Sequence, residues 1–206
     1  MSIATMSIAD GDPGAYDTLI LGIGNVLWAD EGFGIRTIET LHERYIFPDN
    51  VRVMDGGTQG IFLIPWVRNA KRLLIFDAVD FGLAPATLKV IRDDEVPRFM
   101  GAKKVSMHQT GFQEVLASAD LAGDLPLQMV LIGVQPELLD DYGGSLRNSV
   151  KMKIDPAIER GLAILDEWNV SWQLRDKSLT REELGPTALD IQNYENERPS
   201  TGGEPV

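Results

Sequence analysis

The chain has 206 residues, 44% hydrophobic and 24% charged, with a net charge of −12, a size and balance that suit one globular domain with a sizeable core. The acidity argues against nucleic acid or an anionic membrane as partner, since both need basic surface. Cysteine is absent, which removes disulfides, thiolate metal sites and a cysteine nucleophile and fits a reducing compartment.

Residues 1–16 are small and polar with glycine and proline, a composition that predicts a flexible start. They lack the basic start and continuous apolar core of a signal peptide. Asp17 to Gly22 reads as a first strand. Ile35, Ile38, Leu41 and Tyr45 make a helical stripe, ended by Pro48. Val51 to Met54 predicts a second strand, followed by the turn Asp55-Gly56-Gly57-Thr58, and Phe62 to Val67 a short helix. Arg72 to Asp77 holds an apolar run without alternation, Leu73 to Phe76, the pattern of a strand buried on both faces. Thr87 to Ile91 is a fourth strand. The connection from Ala78 to Ala86 is too short for a crossover helix, so this strand is expected to run antiparallel.

Ser106 to Leu121 predicts a helix with Phe112, Val115, Leu116 and Ala119 inward, and Gln128 to Val134 a fifth strand. Asp155-Pro156 reads as an N-cap with proline in the first helical position. The apolar pattern around it runs from about Leu146 to Trp168, as one kinked helix or two. Beyond Leu174 apolar residues thin out. That segment holds four basic and seven acidic residues, so −9 of the charge lies in the rest of the chain. The expectation is a single α/β domain over residues 17–173, a three-layer α/β/α sandwich on a mixed, mostly parallel sheet, with an acidic, largely disordered tail over 174–206. No apolar run approaches the ~20 residues of a membrane span, and a cytoplasmic location is expected.

The most informative stretch is Leu21-Gly22-Ile23-Gly24-Asn25-Val26-Leu27-Trp28-Ala29-Asp30-Glu31-Gly32-Phe33-Gly34. A buried strand ends in a glycine turn, and a loop then presents two adjacent carboxylates before a helix, where open α/β sheets bind ligands. The dinucleotide fingerprint needs a small residue where Leu27 stands. Carboxylates occupy the place of a phosphate, so a cation is the better guest. Asp30 can cap the following helix, leaving Glu31 to face the cleft, or both can belong to a solvated loop.

Glu31, Asp77 and His108 can share one sheet edge, and two carboxylates with an imidazole suit nickel, zinc or a similar ion. Ser106-Met107-His108-Gln109 reads as a capping box that places His108 in the first helical turn, where the helix dipole favours the neutral imidazole a metal needs. His108 also reads as a surface histidine. Asp77 also reads as an N-cap or as the partner of Arg72 or Arg92. Asp55 or Thr58 in the glycine turn can bond an extended peptide, although the turn also reads as an ordinary one. His42 reads as a solvated helix residue, and Trp28 as a shield for the site, a partner contact or core packing.

Taken together, five segments resemble the nickel–iron hydrogenase maturation endopeptidases. They are Gly22-Ile23-Gly24-Asn25 with Asp30-Glu31-Gly32-Phe33-Gly34, Asp55-Gly56-Gly57-Thr58, Phe76-Asp77-Ala78, His108-Gln109, and Gly133-Val134-Gln135-Pro136. The form from Trp28 to Gly34 is most similar to members that serve membrane-bound uptake hydrogenases. The resemblance implies an α/β/α fold with a twisted five-stranded sheet. It implies a protease that cleaves a C-terminal extension from the hydrogenase large-subunit precursor after nickel insertion. It also implies that Glu31, Asp77 and His108 bind the metal and that Asp55 serves activity or recognition. Nickel is then expected to arrive within the substrate and the protein to act as a monomer. A peptidase or amidase of the same architecture carrying its own zinc, and a nickel chaperone without activity, are the alternative readings.

Overall fold

A computed structural model describes residues 16–102, 107–177 and 179, with only the backbone described for 99–102 and 107–110. Five strands form one sheet: β1 (Thr18–Ile23), β3 (Val51–Gly57), β4 (Arg72–Ala78), β5 (Leu88–Arg92) and β6 (Gln128–Val134), in the order β3-β1-β4-β6-β5. The pairs β1–β3, β1–β4 and β4–β6 are parallel, and β5 runs antiparallel to β6, as the short connection before it requires. All six residues of β1, and all of β4 after Arg72, are buried. This is the signature of central strands covered on both faces.

One face carries α1 (Phe33–Arg44) and α6 (Ile154–Glu167). There Phe33, Ile38, Leu41, Ile158 and Leu165 pack on Ile20, Leu74, Phe76 and Ile132. The other carries α2 (Ile64–Asn69) and α4 (Met107–Ala122), where Val67, Phe112, Val115, Leu116 and Ala119 pack on Leu21, Leu73, Ile75 and Leu131. Burying each such side chain fully contributes roughly 1.5–3 kcal/mol, which is why the two apolar stripes fix the layering. Strand residues alternate between faces, so Asp77 falls on the side of Leu73 and Ile75, under α4.

Several elements differ from the sequence reading. The apolar pattern near the end is two helices, α5 (Asn148–Lys151) and α6. Lys153, not Asp155, occupies the N-cap position of α6, and Pro156 is its third residue rather than its first. Proline is tolerated there because the first four helical N–H groups have no intrahelical partner. The Asp155 carboxylate instead accepts from Arg44 Nη1 at 2.6 Å, tying α6 to the end of α1. The helix α3 (Glu95–Ala102) and a two-stranded antiparallel sheet of β2 (Tyr45–Ile46) with β7 (Gln173–Leu174) had no counterpart in the sequence reading.

The expected boundaries at Tyr16 and Leu174 both fall on packed contacts. Tyr16 is buried, stacks on Trp66 with centroids 6.4 Å apart and donates its hydroxyl to the Trp66 carbonyl. Leu174 pairs with Tyr45, whose ring meets Trp172 edge-on at 5.5 Å. Residues 1–15 and, apart from 175–177 and 179, the rest of the tail, including Thr180–Leu184, lie outside the described residues. No described helix is long and apolar enough to cross a membrane.

Candidate active site

The chain leaves β1 for β3 on one side and returns to β4 on the other. A topological switch point therefore lies between the carboxyl ends of β1 and β4. The loop after β1 can close there only because of glycine. Gly24 has φ +145°, and a Cβ on it would stand 1.9 Å from the Glu31 carbonyl oxygen. A Cβ on Gly34 would stand 2.2 Å from the Phe76 carbonyl oxygen and 2.3 Å from that of Ile23. The first turn of α1 thus rests directly on the ends of both strands.

The adjacent carboxylates have separate fates. Asp30 is buried and does not cap α1, whose N-cap position is Gly32, without a side-chain cap bond. Its Oδ2 accepts from the backbone N–H groups of Glu137 at 2.8 Å and Leu138 at 2.9 Å, and its Oδ1 from that of Arg147 at 2.7 Å. Asp30 therefore pins the loop after β6 to the loop after β1. Glu31, half-buried on a 3₁₀ turn (Ala29–Gly32) that packs on β4, is left at the mouth of the switch point.

Asp77 is fully buried one residue beyond Phe76, the register partner of Gly22. Neither arginine expected to pair with it does so. Arg72 donates to Gln128 at 3.0 Å, and Arg92 to Glu167 at 2.8 and 3.1 Å. No helix follows for Asp77 to cap. Its register partner is Gly133, and a Cβ there would stand 2.5 Å from the ring of Phe81. Register partners share a face, so the Phe81 ring lies beside Asp77 and keeps water from it.

His108 falls in the first turn of α4, the helix over the Asp77 face. Its imidazole, and Ser106, lie outside the described residues. Among the described residues no three histidine, aspartate or glutamate side chains form a metal-holding group. Glu31, on the turn after β1, and Asp77, near the end of β4, are carboxylates at the carboxyl edge of the sheet, and His108 lies in the first turn of the helix over the Asp77 face.

Asp55 lies two residues before the end of β3, opposite Gly22. It keeps an exposed surface, yet the protein crowded around its carboxyl raises its pKa. The Gly57 N–H bonded to it and the charge of Arg36 pull the other way. Gly57 has φ +44°, and the Gly24 N–H donates to its carbonyl at 3.3 Å, tying this turn to the exit of β1. Thr58 is exposed. The 3₁₀ turn that follows (Gly60–Leu63) lies against α4, where Gly60 and Gly111 meet backbone to backbone: a Cβ on Gly111 would stand 3.2 Å from the Gly60 Cα.

Three contacts around this edge were not foreseen in the sequence. Gln135, noted only within a motif, is buried. Its Oε1 accepts from the N–H groups of Phe81 at 2.7 Å and Leu83 at 3.1 Å, and its Nε2 donates to Asp80 at 3.0 Å. It holds the loop bearing Phe81 in place. Arg36 is only 4% exposed, with Nη1 2.9 Å from Glu39. Trp28 bridges to Tyr142, their rings edge-on at 5.2 Å. The only signal for these was an unexpected arginine in the apolar helix and an aromatic pair in two glycine-rich loops. His42, read as solvated, is desolvated and its pKa is pushed down to about 4, with the Arg175 guanidinium adding to the effect. Its Nε2 is buried and has no hydrogen-bond partner among the described residues.

Residues 35–164 match the family described as hydrogenase maturation protease. The chain is 58% identical over 186 residues to the hydrogenase expression/formation protein HoxM of Azotobacter vinelandii, covering 90% of this chain and 89% of the relative. It is 42% identical over 153 residues to the hydrogenase 2 maturation protease of Escherichia coli, covering 74% of this chain and 92% of that one. The solved structure of the hydrogenase maturating endopeptidase HybD from E. coli superposes with a TM-score of 0.73 at 40% identity, covering 77% of this chain and 98% of that one. The chain belongs to the hydrogenase maturation proteases and is an endopeptidase of that family.

Proposed function

We propose that this protease removes a C-terminal extension from the large-subunit precursor of a nickel–iron hydrogenase once nickel has been inserted, and that it acts as a cytoplasmic monomer. The observation that supports the reading is that Glu31, on the turn after β1, and Asp77, near the end of the adjacent parallel strand β4, lie at one edge of the sheet. Asp77 faces the side covered by α4, whose first turn bears His108.

Nickel belongs to the substrate in this reading. Two carboxylates and one imidazole would leave coordination positions for the precursor's own ligands. The ion then serves to position the scissile peptide or to polarise its carbonyl. Phe81 keeps the Asp77 side of the site dry, and Asp30 fixes the backbone that carries Glu31. Asp55, held by the Gly57 N–H, is the carboxylate assigned to engaging the extended peptide.

The test uses protein stripped of metal by chelation, mixed with nickel-loaded or nickel-free precursor, with the product masses measured. Trimming of the loaded precursor alone is expected. Efficient trimming of strictly nickel-free precursor, or dependence on a tightly held ion in the free protein, refutes the substrate-borne nickel and favours a resident-zinc peptidase. Stable binding without trimming favours a chaperone.

A further inference from the structure

The loops at the carboxyl edge of the sheet carry more exposed apolar surface than folding explains. Ile61 and Phe62, on the 3₁₀ turn after β3, are 64% and 59% exposed, and Tyr142, in the loop after β6, is 68% exposed. Leu83 after β4 and Leu138 after β6 are also exposed. None of these sites is left to chance. The turn bearing Ile61 and Phe62 is held against α4 by the Gly60–Gly111 contact. Tyr142 is held by its ring contact with Trp28, and by the Gly143 N–H to Leu27 carbonyl bond at 2.8 Å. Leu138 is fixed through the Asp30 carboxylate, and Leu83 through Gln135. Large apolar side chains fixed in exposed positions around a site mark an interaction surface.

The charge at this edge is mostly negative, although Lys89 stands 5.3 Å over the Phe81 ring. The loops 24–32, 57–63, 79–87 and 135–147 contain six carboxylates and a single basic residue, Arg147. That arginine is bonded to Asp141 at 2.8 Å. Asp30 and Asp77 are buried, but Asp55 adds an exposed carboxylate near the end of β3. The edge therefore combines net negative charge with two exposed apolar walls, Ile61 and Phe62 after β3 and Tyr142 with Leu138 in the loop after β6. A partner that fits it has a cationic centre flanked by apolar side chains.

We infer that these two walls are the docking surface for the large-subunit precursor, gripping apolar residues on either side of its cation-bearing segment. The inference rests on the function proposed above, to which it adds the residues that set affinity for the substrate. The walls act in binding and not in peptide cleavage. Their loss is therefore read in KM and in the dissociation constant, while kcat at saturating precursor stays at the parental value.

The experiment compares Ile61→Ser/Phe62→Ser, Tyr142→Ser and a control, Leu121→Ser/Leu127→Ser, whose residues are 92% and 83% exposed at the far end of α4 and beyond it. Melting curves check that each variant is folded. Binding to immobilised nickel-loaded precursor and the steady-state constants are then measured. A change of roughly tenfold or more in both KM and Kd is expected for each wall, with none for the control. Added salt should weaken parental binding.

Wall variants that bind like the parent, or a control that is equally impaired, overturn the inference. Glu31→Gln separates it from the assignment of the site. A Glu31→Gln protein that binds but does not cleave, beside wall variants that bind normally, sinks the docking surface alone. One that cleaves at the parental rate sinks the site assignment, while the binding data still decide the walls.

Discussion

Asp30 and Glu31 are neighbours of the same chemical type, and substitution should separate them sharply. Asp30→Asn keeps the shape of the side chain but has one acceptor oxygen where the carboxylate has two. If that oxygen replaces Oδ2, the bonds from Glu137 and Leu138 survive in weakened form, and an amide N–H₂ is turned against the Arg147 N–H. At least one charge-assisted bond is lost and a buried donor is left facing a donor. Hydrogen bonds to charged groups contribute about 1.5–3 kcal/mol each, and an unsatisfied buried group costs ~1–3 kcal/mol. A loss of roughly 3 kcal/mol corresponds to a fall in Tm of about 6–12 °C in a domain of this size. Glu31→Gln, on a half-buried residue at the mouth of the cleft, should move Tm by less than about 2 °C and abolish processing. The assay is thermal unfolding of both variants beside precursor trimming followed by mass. An Asp30→Asn protein that melts with the parent, or a Glu31→Gln protein destabilised as much as Asp30→Asn, would refute the division of roles.

Asp77→Asn and His108→Ala should each stop trimming of nickel-loaded precursor while circular dichroism shows an intact fold; normal trimming by the double variant would remove both from the site. Asp55 has a raised carboxyl pKa, so the acid limb of activity should lie above the ordinary carboxylate range. Arg36→Met removes the charge that holds this pKa down and should shift the limb to higher pH, whereas an unmoved limb in the pH–rate profile would show that Asp55 does not control it. The sign for stability is opposite to that of a salt-bridged acid. The native state favours the protonated form, so ionised Asp55 costs stability as pH rises through its folded pKa, and Asp55→Asn should be at least as stable as the parent at neutral pH. For His42, a folded pKa of about 4 against ~6.5 unfolded means that the unfolded chain takes up a proton that the native protein refuses. Stability should therefore fall between those pH values, and His42→Leu should flatten the fall in Tm relative to the parent over that window.

What could be read from the sequence depended on how locally each feature is determined. The run from Leu73 to Phe76 is apolar at every position because both faces of β4 are covered, and that is visible without a structure. The antiparallel course of β5 followed from the length of one connection. That the loop bearing Glu31 and the end of β4 bearing Asp77 share one sheet edge followed from the parallel strand order. Features made by contacts between distant segments left no such trace. The three donors to Asp30 come from Glu137, Leu138 and Arg147, in a loop beyond another strand. A helix cap was the only role that local pattern suggested for it. His42 looked solvated among Leu41, Glu43 and Arg44 because the segment that approaches it comes from the far end of the domain, where Arg175 donates to its carbonyl at 3.1 Å. The two-residue strands β2 and β7 are too short to show any period.

The same distant contacts explain how loops at four strand ends can hold a site. Loops generally tolerate movement, and a site assembled from several of them needs each to be fixed relative to the others. Here one buried polar side chain from a sheet-edge segment reaches into the next. Asp30 joins the loop after β1 to the loop after β6, and Gln135 joins the end of β6 to the loop after β4. The Gly24 N–H joins the exit of β1 to Gly57, and Gly60 against Gly111 joins the loop after β3 to the helix that bears His108. Each link is a buried bond or a close backbone contact that a substitution would break. The glycines and polar residues of the family motifs therefore serve chiefly to join the loops. Glu31 and Asp77, the two carboxylates assigned to the ion, can be held at one edge of the sheet because the surrounding residues take on the work of alignment.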